Sequence, residues 1–377
     1  MYRIATDAVK PGMKVAKAIY TSDGQILINA GVILKPRYIK NLYKLGIGAI
    51  YVEDDLAGDV VVEDVIDEAS RVEATRTVRE FFLNTQLSAN GRSMVLSRKL
   101  QDTVTKIIDD LLSKDQLMVN LQDIRTMDDY TFGHSVNVCV LSLITGIALG
   151  FSETQLRHLG MGALMHDIGK LRIPDEILNK PGKLTDEEFA VVKEHPKLGF
   201  EILRNQSEIS LLSAHMALEH HERFDGNGYP NQLQKDDIHL FSRICSVADV
   251  FDAVTADRVY RKAYAPHEAY ELLAASGGSH FDYRVVSVFL RNVAAYPVGT
   301  WVELNTGERG MVVETKPGFS TRPKVRLTYG PEWECLTPPR EINLAAELDR
   351  LIVRVVSREE IENVSGQMPK AGGNMVK

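Results

Sequence analysis

The stretch "SVNVCVLSLITGIALGFS", residues 135–152, runs eighteen positions without a charge. A helix that is apolar all round has to be covered on every side, by lipid or by the rest of its own chain. The Ser, Asn, Thr and Gly residues within the run make it a poor bilayer span, so it reads as a buried helix around which other helices pack. Two capping-box signatures follow it, Ser152-Glu153-Thr154-Gln155 and Thr185-Asp186-Glu187-Glu188, each ahead of an apolar-periodic run. Strand-like alternation is scarce between residues 121 and 292, and this block is expected to be one helical domain.

Smaller modules are expected on both sides. Residues 1–57 read as a small α+β unit: "MKVAKAIYT", a turn at Ser22-Asp23-Gly24, "QILINAG", a helix from Pro36 to a stop at Gly46, and a last strand "AIYVE". Residues 58–120 read as helical, with one stripe at Val65, Ala69 and Val72 and another at Leu96, Leu100, Val104, Ile107 and Leu111. These helices are expected to pack on the next domain, with a dimer-forming or signal-relaying linker as the competing expectation. Pro297 and Gly299 open a β-rich module over residues 293–357, carried by "TWVEL", "GMVVET", "KVRLTY" and "LIVRVV". Residues 358–377 are expected to be a disordered tail. The fold class is therefore mainly α, flanked by small β-rich modules.

A net charge of −7 provides no global field for gripping DNA or RNA, so an anionic ligand would have to be held by local positive charge. Cys139, Cys245 and Cys335 form no CxxC pair and suggest no disulfide framework, and "MYRIATDAVKPGM" has no apolar signal-peptide core. A cytoplasmic, reducing setting without a membrane span is expected.

All ten histidines lie between His134 and His280, inside the helical block. "MHDIGK" contains His166-Asp167, a neutral nitrogen beside an anionic oxygen that can bridge two cations, with Lys170 one turn later. "DDYTFGHS" adds His134, "KEHPKLG" adds His195, and "LEHHERFDGNGYP" adds His220 and His221. "SVADVFDAVTADRVYRKA" places Asp249 in an apolar stretch, where an unpaired carboxylate is costly. Each has a bland explanation alone: a hydrogen-bonded structural pair, a capping or turn histidine, a partnered buried aspartate. Together they amount to five imidazoles and two carboxylates in one block, enough to ligate two metals.

These motifs in this order resemble the HD-GYP domain, a branch of the HD superfamily of metal-dependent phosphohydrolases, from about residue 128 towards residue 292. The resemblance implies an HD-superfamily helical domain that hydrolyses cyclic di-GMP to pGpG and onward to GMP; some relatives act on other cyclic dinucleotides. It assigns one ion to His134, His166, Asp167 and Asp249 and the other to Asp167, His195, His220 and His221, with Asp167 bridging. It makes Asp167 and Lys170 the catalytic pair, and Lys170, Tyr229, Arg258 and Arg261 the substrate contacts. Members with a third ion carry a glutamate one turn before the first histidine. Tyr130 stands there, so two divalent ions are expected, iron or manganese first, with zinc, cobalt or nickel also compatible with the ligand set.

Two ions about 3.5–4 Å apart would acidify a shared water, giving a bridging hydroxide for in-line attack, and would neutralise phosphodiester charge. Gly226 and Gly228 permit a sharp turn after His221, Pro230 stiffens its exit, and Tyr229 is thereby offered to the nucleotide. Glu222 and Asp225 are expected to orient the ligating imidazoles. The competing function is a catalytically silent cyclic-dinucleotide receptor, or a module that docks diguanylate cyclase proteins through the GYP surface. A hydrolase of another cyclic dinucleotide is the third reading.

Overall fold

The computed structural model describes residues 1–20, 26–45, 47, 49–53, 60, 64–87, 93–120, 130–256 and 263–367. The N-terminal module runs β1 (Tyr2–Ala5), β2 (Ile19–Tyr20), β3 (Ile26–Ile28), α1 (Pro36–Lys44) and β4 (Ala49–Val52). β1 pairs antiparallel with β4, and β2 with β3. Helix α1 opens on its proline, as the sequence indicates, because that position needs no amide hydrogen. Val15, Ile19, Leu34, Leu42, Ile47 and Ile50 form a small core of their own. The Ser22-Asp23-Gly24 turn and Gly46 lie outside the described residues.

The helical body comprises α2 (Glu68–Leu87), α3 (Ser93–Leu112), α4 (Tyr130–Ala148), α5 (Glu153–Met165), α6 (Asp175–Leu178), α7 (Asp186–Val192), α8 (His195–Leu203), α9 (Leu211–Glu219), α10 (Leu240–Thr255), α11 (Pro266–Ser276) and α12 (Tyr283–Arg291). Both expected capping boxes form, at the starts of α5 and α7. Helix α4 is the apolar run. Its residues Thr131–Ala148 are long and apolar enough to cross a membrane, yet 72% of that window is buried inside the protein. Val136, Val138, Cys139, Val140, Leu141, Leu143 and Ile144 are all at most 3% exposed, so no face of that segment remains for lipid.

One continuous core extends from Val65 to Val293 and takes in α2 and α3. The α3 stripe Leu100, Val104, Ile107 and Leu111 is buried in it, so this helix packs onto the domain that follows. The α2 stripe differs from the sequence reading. Val65 precedes the helix and Ala69 is exposed; Ala74, Val78, Phe81 and Phe82 face the core, with Ser70 and Thr77 buried beside them. Small polar residues on the buried face hid its true register. Backbone bonds from Val119 to Asn292 and from Ala294 to Val119 tie the chain after α3 to the end of α12.

The C-terminal module is a five-stranded antiparallel sheet, with β5 (Trp301–Leu304), β6 (Arg309–Glu314), β7 (Lys324–Tyr329), β8 (Cys335–Asn343) and β9 (Ile352–Val355) in the order β8-β7-β6-β5-β9. A correction falls at its end. Residues 358–367, expected to be disordered, form α13 (Arg358–Gln367). Ser357 and Glu360 make a reciprocal capping box, and Ile361 is fully buried against Trp301, Met311, Tyr329 and Val356. Residues 368–377 lie outside the described residues.

Candidate metal centre

Five elements of the helical body aim polar side chains at one buried volume. His134 lies in the second turn of α4 and Asp249 in the middle of α10. His166 and Asp167 sit where α5 ends, His195 where α8 begins, and His220 with His221 where α9 ends. The end of a helix lets adjacent residues diverge from a single helical face, which explains how neighbours such as His220 and His221 can serve one site.

The carboxylate of Asp167 is central. Its Oδ1 lies 3.4 Å from His195 Nε2 and 3.7 Å from His220 Nε2, while its Oδ2 lies 3.4 Å from His166 Nε2 and 3.9 Å from His134 Nε2. Asp249 Oδ1 lies 3.0 Å from His134 Nε2 and 3.9 Å from His166 Nε2. Ligand-type atoms therefore gather in two groups that share Asp167: one with His195, His220 and His221, the other with His134 and His166. The seven side chains picked out in the sequence meet.

Their donor chemistry fits cations. His166, His195 and His220 each direct Nδ1 at a backbone carbonyl, of Ala163, Val192 and Ala217 respectively, at 2.7–3.0 Å. A carbonyl accepts only from a protonated nitrogen, so in the neutral form of each ring it is Nε2 that carries the lone pair, and it faces inward. His195 Nε2 and His220 Nε2 lie 3.2 Å apart, and the buried His166 Nε2 and Asp167 Oδ1 make no hydrogen bond. Converging lone pairs repel unless a positive charge lies between them. These buried clusters can hold divalent metal.

The electrostatics agree. Burial would raise the Asp167 carboxyl, but the Lys170 ammonium beside it holds it well below the usual carboxylate range. Burial depresses His220 strongly and takes His221 down to about 3, so both are neutral at pH 7. His134 goes the other way. Burial would lower it, but Asp249 on one nitrogen and Asp252 on the other outweigh this and raise it to about 9. Lys170 pairs with Asp167 Oδ2 and keeps about a third of its side chain exposed.

Close backbone packing sets the site's dimensions. At Gly169 a β-carbon would sit 1.9 Å from His195 O and 2.5 Å from Gly199 N, so the segment bearing Asp167 and Lys170 lies directly on the start of α8. At Gly228 it would sit 2.3 Å from Arg223 N, which folds the loop after His221 back on itself. Tyr229 N donates to His221 O, and the two rings stack with centroids 4.8 Å apart. Glu222 and Asp225 do not orient imidazoles. Glu222 accepts from the amides of Asn231 and Leu233, and Asp225 pairs with Arg223, so both shape the loop. Past His221 the chain has turned, and their carboxylates meet loop groups instead. Arg258, Arg261 and the side chain of Tyr130 lie outside the described residues.

Sequence reasoning missed Asp252 and Asn137. Asp252 Oδ2 accepts from His134 Nδ1 at 2.6 Å, and Asp252 Oδ1 accepts from Asn137 Nδ2 at 2.9 Å. The available signal was a second carboxylate in the same apolar stretch as Asp249, three residues on, hence on the same helix face.

Residues 106–285 match the HD domain family, and residues 301–364 match a KOW domain associated with HD domains. A cyclic di-GMP phosphodiesterase of Pseudomonas aeruginosa is 38% identical over 253 residues, 67% of this chain and 61% of that protein. One from Thermotoga maritima is 35% identical over 241 residues, 62% of this chain and 65% of that protein. A 3'3'-cGAMP-specific phosphodiesterase of Vibrio cholerae is 40% identical over 144 residues, 38% of this chain and 28% of its own length. The chain thus spans less than two thirds of these relatives. An HDG"Y"P protein from Bdellovibrio bacteriovorus, 18% identical, superposes with a TM-score of 0.51 over 77% of this chain and 98% of that one, which shows a shared fold.

Proposed function

We propose, from the match of residues 106–285 to the HD domain family and the similarity to cyclic di-GMP phosphodiesterases, that this chain is an HD-GYP protein: a binuclear metal-dependent phosphodiesterase that hydrolyses cyclic di-GMP to pGpG and onward to GMP. The observation that carries this reading is Asp167, a buried carboxylate with each oxygen facing a separate cluster of inward imidazole nitrogens. In this reading His134, His166, Asp167 and Asp249 hold one ion, and Asp167, His195, His220 and His221 hold the other. The absence of thiolate and the mix of imidazole with carboxylate suit iron or manganese, and equally zinc, cobalt or nickel; the family resemblance puts iron or manganese first. When bound, the ions supply Lewis acidity towards the phosphodiester and an acidified water.

The protein's own groups set the conditions for that chemistry. Backbone carbonyls at Ala163, Val192 and Ala217 keep three imidazoles in the tautomer that points Nε2 inward, so no reorganisation is needed when an ion arrives. Lys170 offsets the charge of Asp167, and its exposed third lets the ammonium meet a non-bridging phosphate oxygen. Tyr229, half-buried on the His221 ring, offers a flat surface to a guanine. Arg258 and Arg261 are assigned to the substrate phosphates by their place in the motif.

The decisive assay loads the full chain with Mn²⁺ or Fe²⁺ and follows cyclic di-GMP by chromatography, with 3'3'-cGAMP as competitor. Formation of pGpG then GMP is expected, with cyclic di-GMP preferred. Tight binding without turnover in any metal would replace the enzyme by a receptor, and preference for the mixed dinucleotide would move the substrate.

A pH prediction follows from His134. In the metal-free protein its imidazolium, with a pKa of about 9, is the dominant form at neutral pH, and its Nε2 proton has to leave before that nitrogen can ligate. The apparent affinity of the His134-side ion is therefore expected to rise roughly tenfold per pH unit towards pH 9 and then level off. The metal-free fold behaves oppositely. A raised histidine contributes stability that is full below its unfolded pKa near 6.5 and lost as pH rises through about 9. Mn²⁺ titrations at pH 7 and pH 9 check the first statement; equal affinities would refute it.

A further inference from the structure

A buried chain of polar contacts connects the metal centre to a helix that precedes the matched HD domain. His134 Nδ1 donates to Asp252 Oδ2 at 2.6 Å, and Asp252 Oδ1 accepts from Asn137 Nδ2 at 2.9 Å. Asn137 Oδ1 in turn accepts from Nη1 of Arg71 on α2. His134, Asn137 and Asp252 are all at most 4% exposed, and Arg71 is half-buried. The matched HD domain begins at residue 106.

The polarity of this chain permits one arrangement. An ionised carboxylate only accepts and a guanidinium only donates, so Asn137 must turn its amide nitrogen to Asp252 and its oxygen to Arg71. That orientation fixes the Asp252 carboxylate, which fixes the plane and tautomer of the His134 ring. The position of Arg71 is itself pinned. Asp67 accepts from the Ser70 amide at 2.7 Å and from the Ser70 hydroxyl at 2.9 Å, one residue before it, at the start of α2. Without Arg71 the buried Asn137 oxygen loses this donor, the amide can rotate, and Asp252 loses a directed partner.

We infer that Arg71 is a positioning residue for the ion held on the His134 side, acting through Asn137 and Asp252 although it lies outside the HD domain. This rests on the two-metal reading above and adds to it a residue on α2. Groups that orient a metal-ligating histidine typically contribute 10–100-fold in metal affinity. Arg71 acts one partner further out, so the low end, about tenfold, is expected.

The test is a titration of the metal-stripped full chain with Co²⁺ alone, followed by calorimetry and by the visible absorption of the bound ion. Wild type is expected to take two ions. Arg71→Met is expected to weaken one of them about tenfold, shift its absorption and leave the other ion unchanged. Arg71→Lys, which keeps a donor and the charge, should recover most of the loss. Asn137→Ala should weaken the same ion, and adding Arg71→Met to it should cost nothing further, because the path is already cut. A wild type that takes up no ion overturns the two-metal reading and this inference with it. A wild type that binds two ions overturns the relay alone in any of three cases: Arg71→Met changes neither ion, it weakens both equally, or the double variant loses additional affinity. Should Arg71→Met fail to fold, the Asn137→Ala and Arg71→Lys measurements decide: an unaltered Asn137→Ala titration overturns the relay.

Discussion

Asp167→Asn is expected to lower cyclic di-GMP hydrolysis by roughly three orders of magnitude or more while leaving the protein folded. The size follows from what metal ions contribute to phosphoryl chemistry, several kcal/mol, with each 1.4 kcal/mol worth a factor of ten. An amide has one acceptor oxygen and one NH₂ group. Whichever way it is turned, one of the two imidazole clusters faces a donor where it had a carboxylate oxygen. The metal-free variant is still expected to fold, because the NH₂ group can donate to an inward Nε2, such as that of His166, which otherwise makes no hydrogen bond, although it gives up the Lys170 ion pair. Elemental analysis of the purified variant should find fewer than two ions per chain, and thermal unfolding after chelation should show a cooperative transition somewhat below that of wild type. A variant that keeps both ions and turns over within tenfold of wild type would sink the bridging role.

Gly169→Ala should cost about 3 kcal/mol or more of stability, the upper part of the range for overpacking a dense interior. The added methyl would lie 1.9 Å from His195 O and 2.5 Å from Gly199 N. Both are backbone atoms of α8 and cannot swing aside as a flexible side chain would. The segment Ile168–Arg172 therefore has to lift off α8, and with it Asp167 moves away from His195 Nε2, now 3.4 Å from its Oδ1. Stability and metal uptake should fall together, the latter on the side of His195, His220 and His221. Urea unfolding of the metal-free chain gives the first quantity and ion stoichiometry the second. A cost below about 1 kcal/mol with both ions retained would mean that this contact does not set the dimensions of the site.

How much of this was legible beforehand depended on the length scale of the interaction. Motif-borne residues could be named from the sequence: His134, His166, Asp167, His195, His220, His221 and Asp249 all meet. Glu222 shows the limit. A carboxylate beside two histidines in the chain invites the inference that it serves them, yet it holds the Asn231 and Leu233 amides, because the chain reverses at the end of α9. Asp252 shows the converse. Its spacing from Asp249 puts it on the same helix face, but that alone does not assign it a partner, and its role exists only because α10 lies against α4. The α2 stripe and α13 were misread for a related reason: Ser70 and Thr77 look polar, and Arg358–Gln367 has Ile361 and Val364 among charged and small polar residues, whereas burial is decided by what packs opposite.

The amino-acid sequence by itself determined the chemistry that could be present: neutral nitrogens and ionised oxygens in metal-ligating types, an apolar helix that had to be enclosed, and caps that start the flanking helices. Tertiary structure alone decided that Asp167 would divide its oxygens between two imidazole clusters, and that an arginine on α2 would stand behind Asn137 and Asp252. The reason is directional. Ligation and hydrogen bonding depend on ångström-scale separations and on lone-pair orientation, and those are set by how distant helices pack and by backbone contacts as close as that of Gly169 with His195.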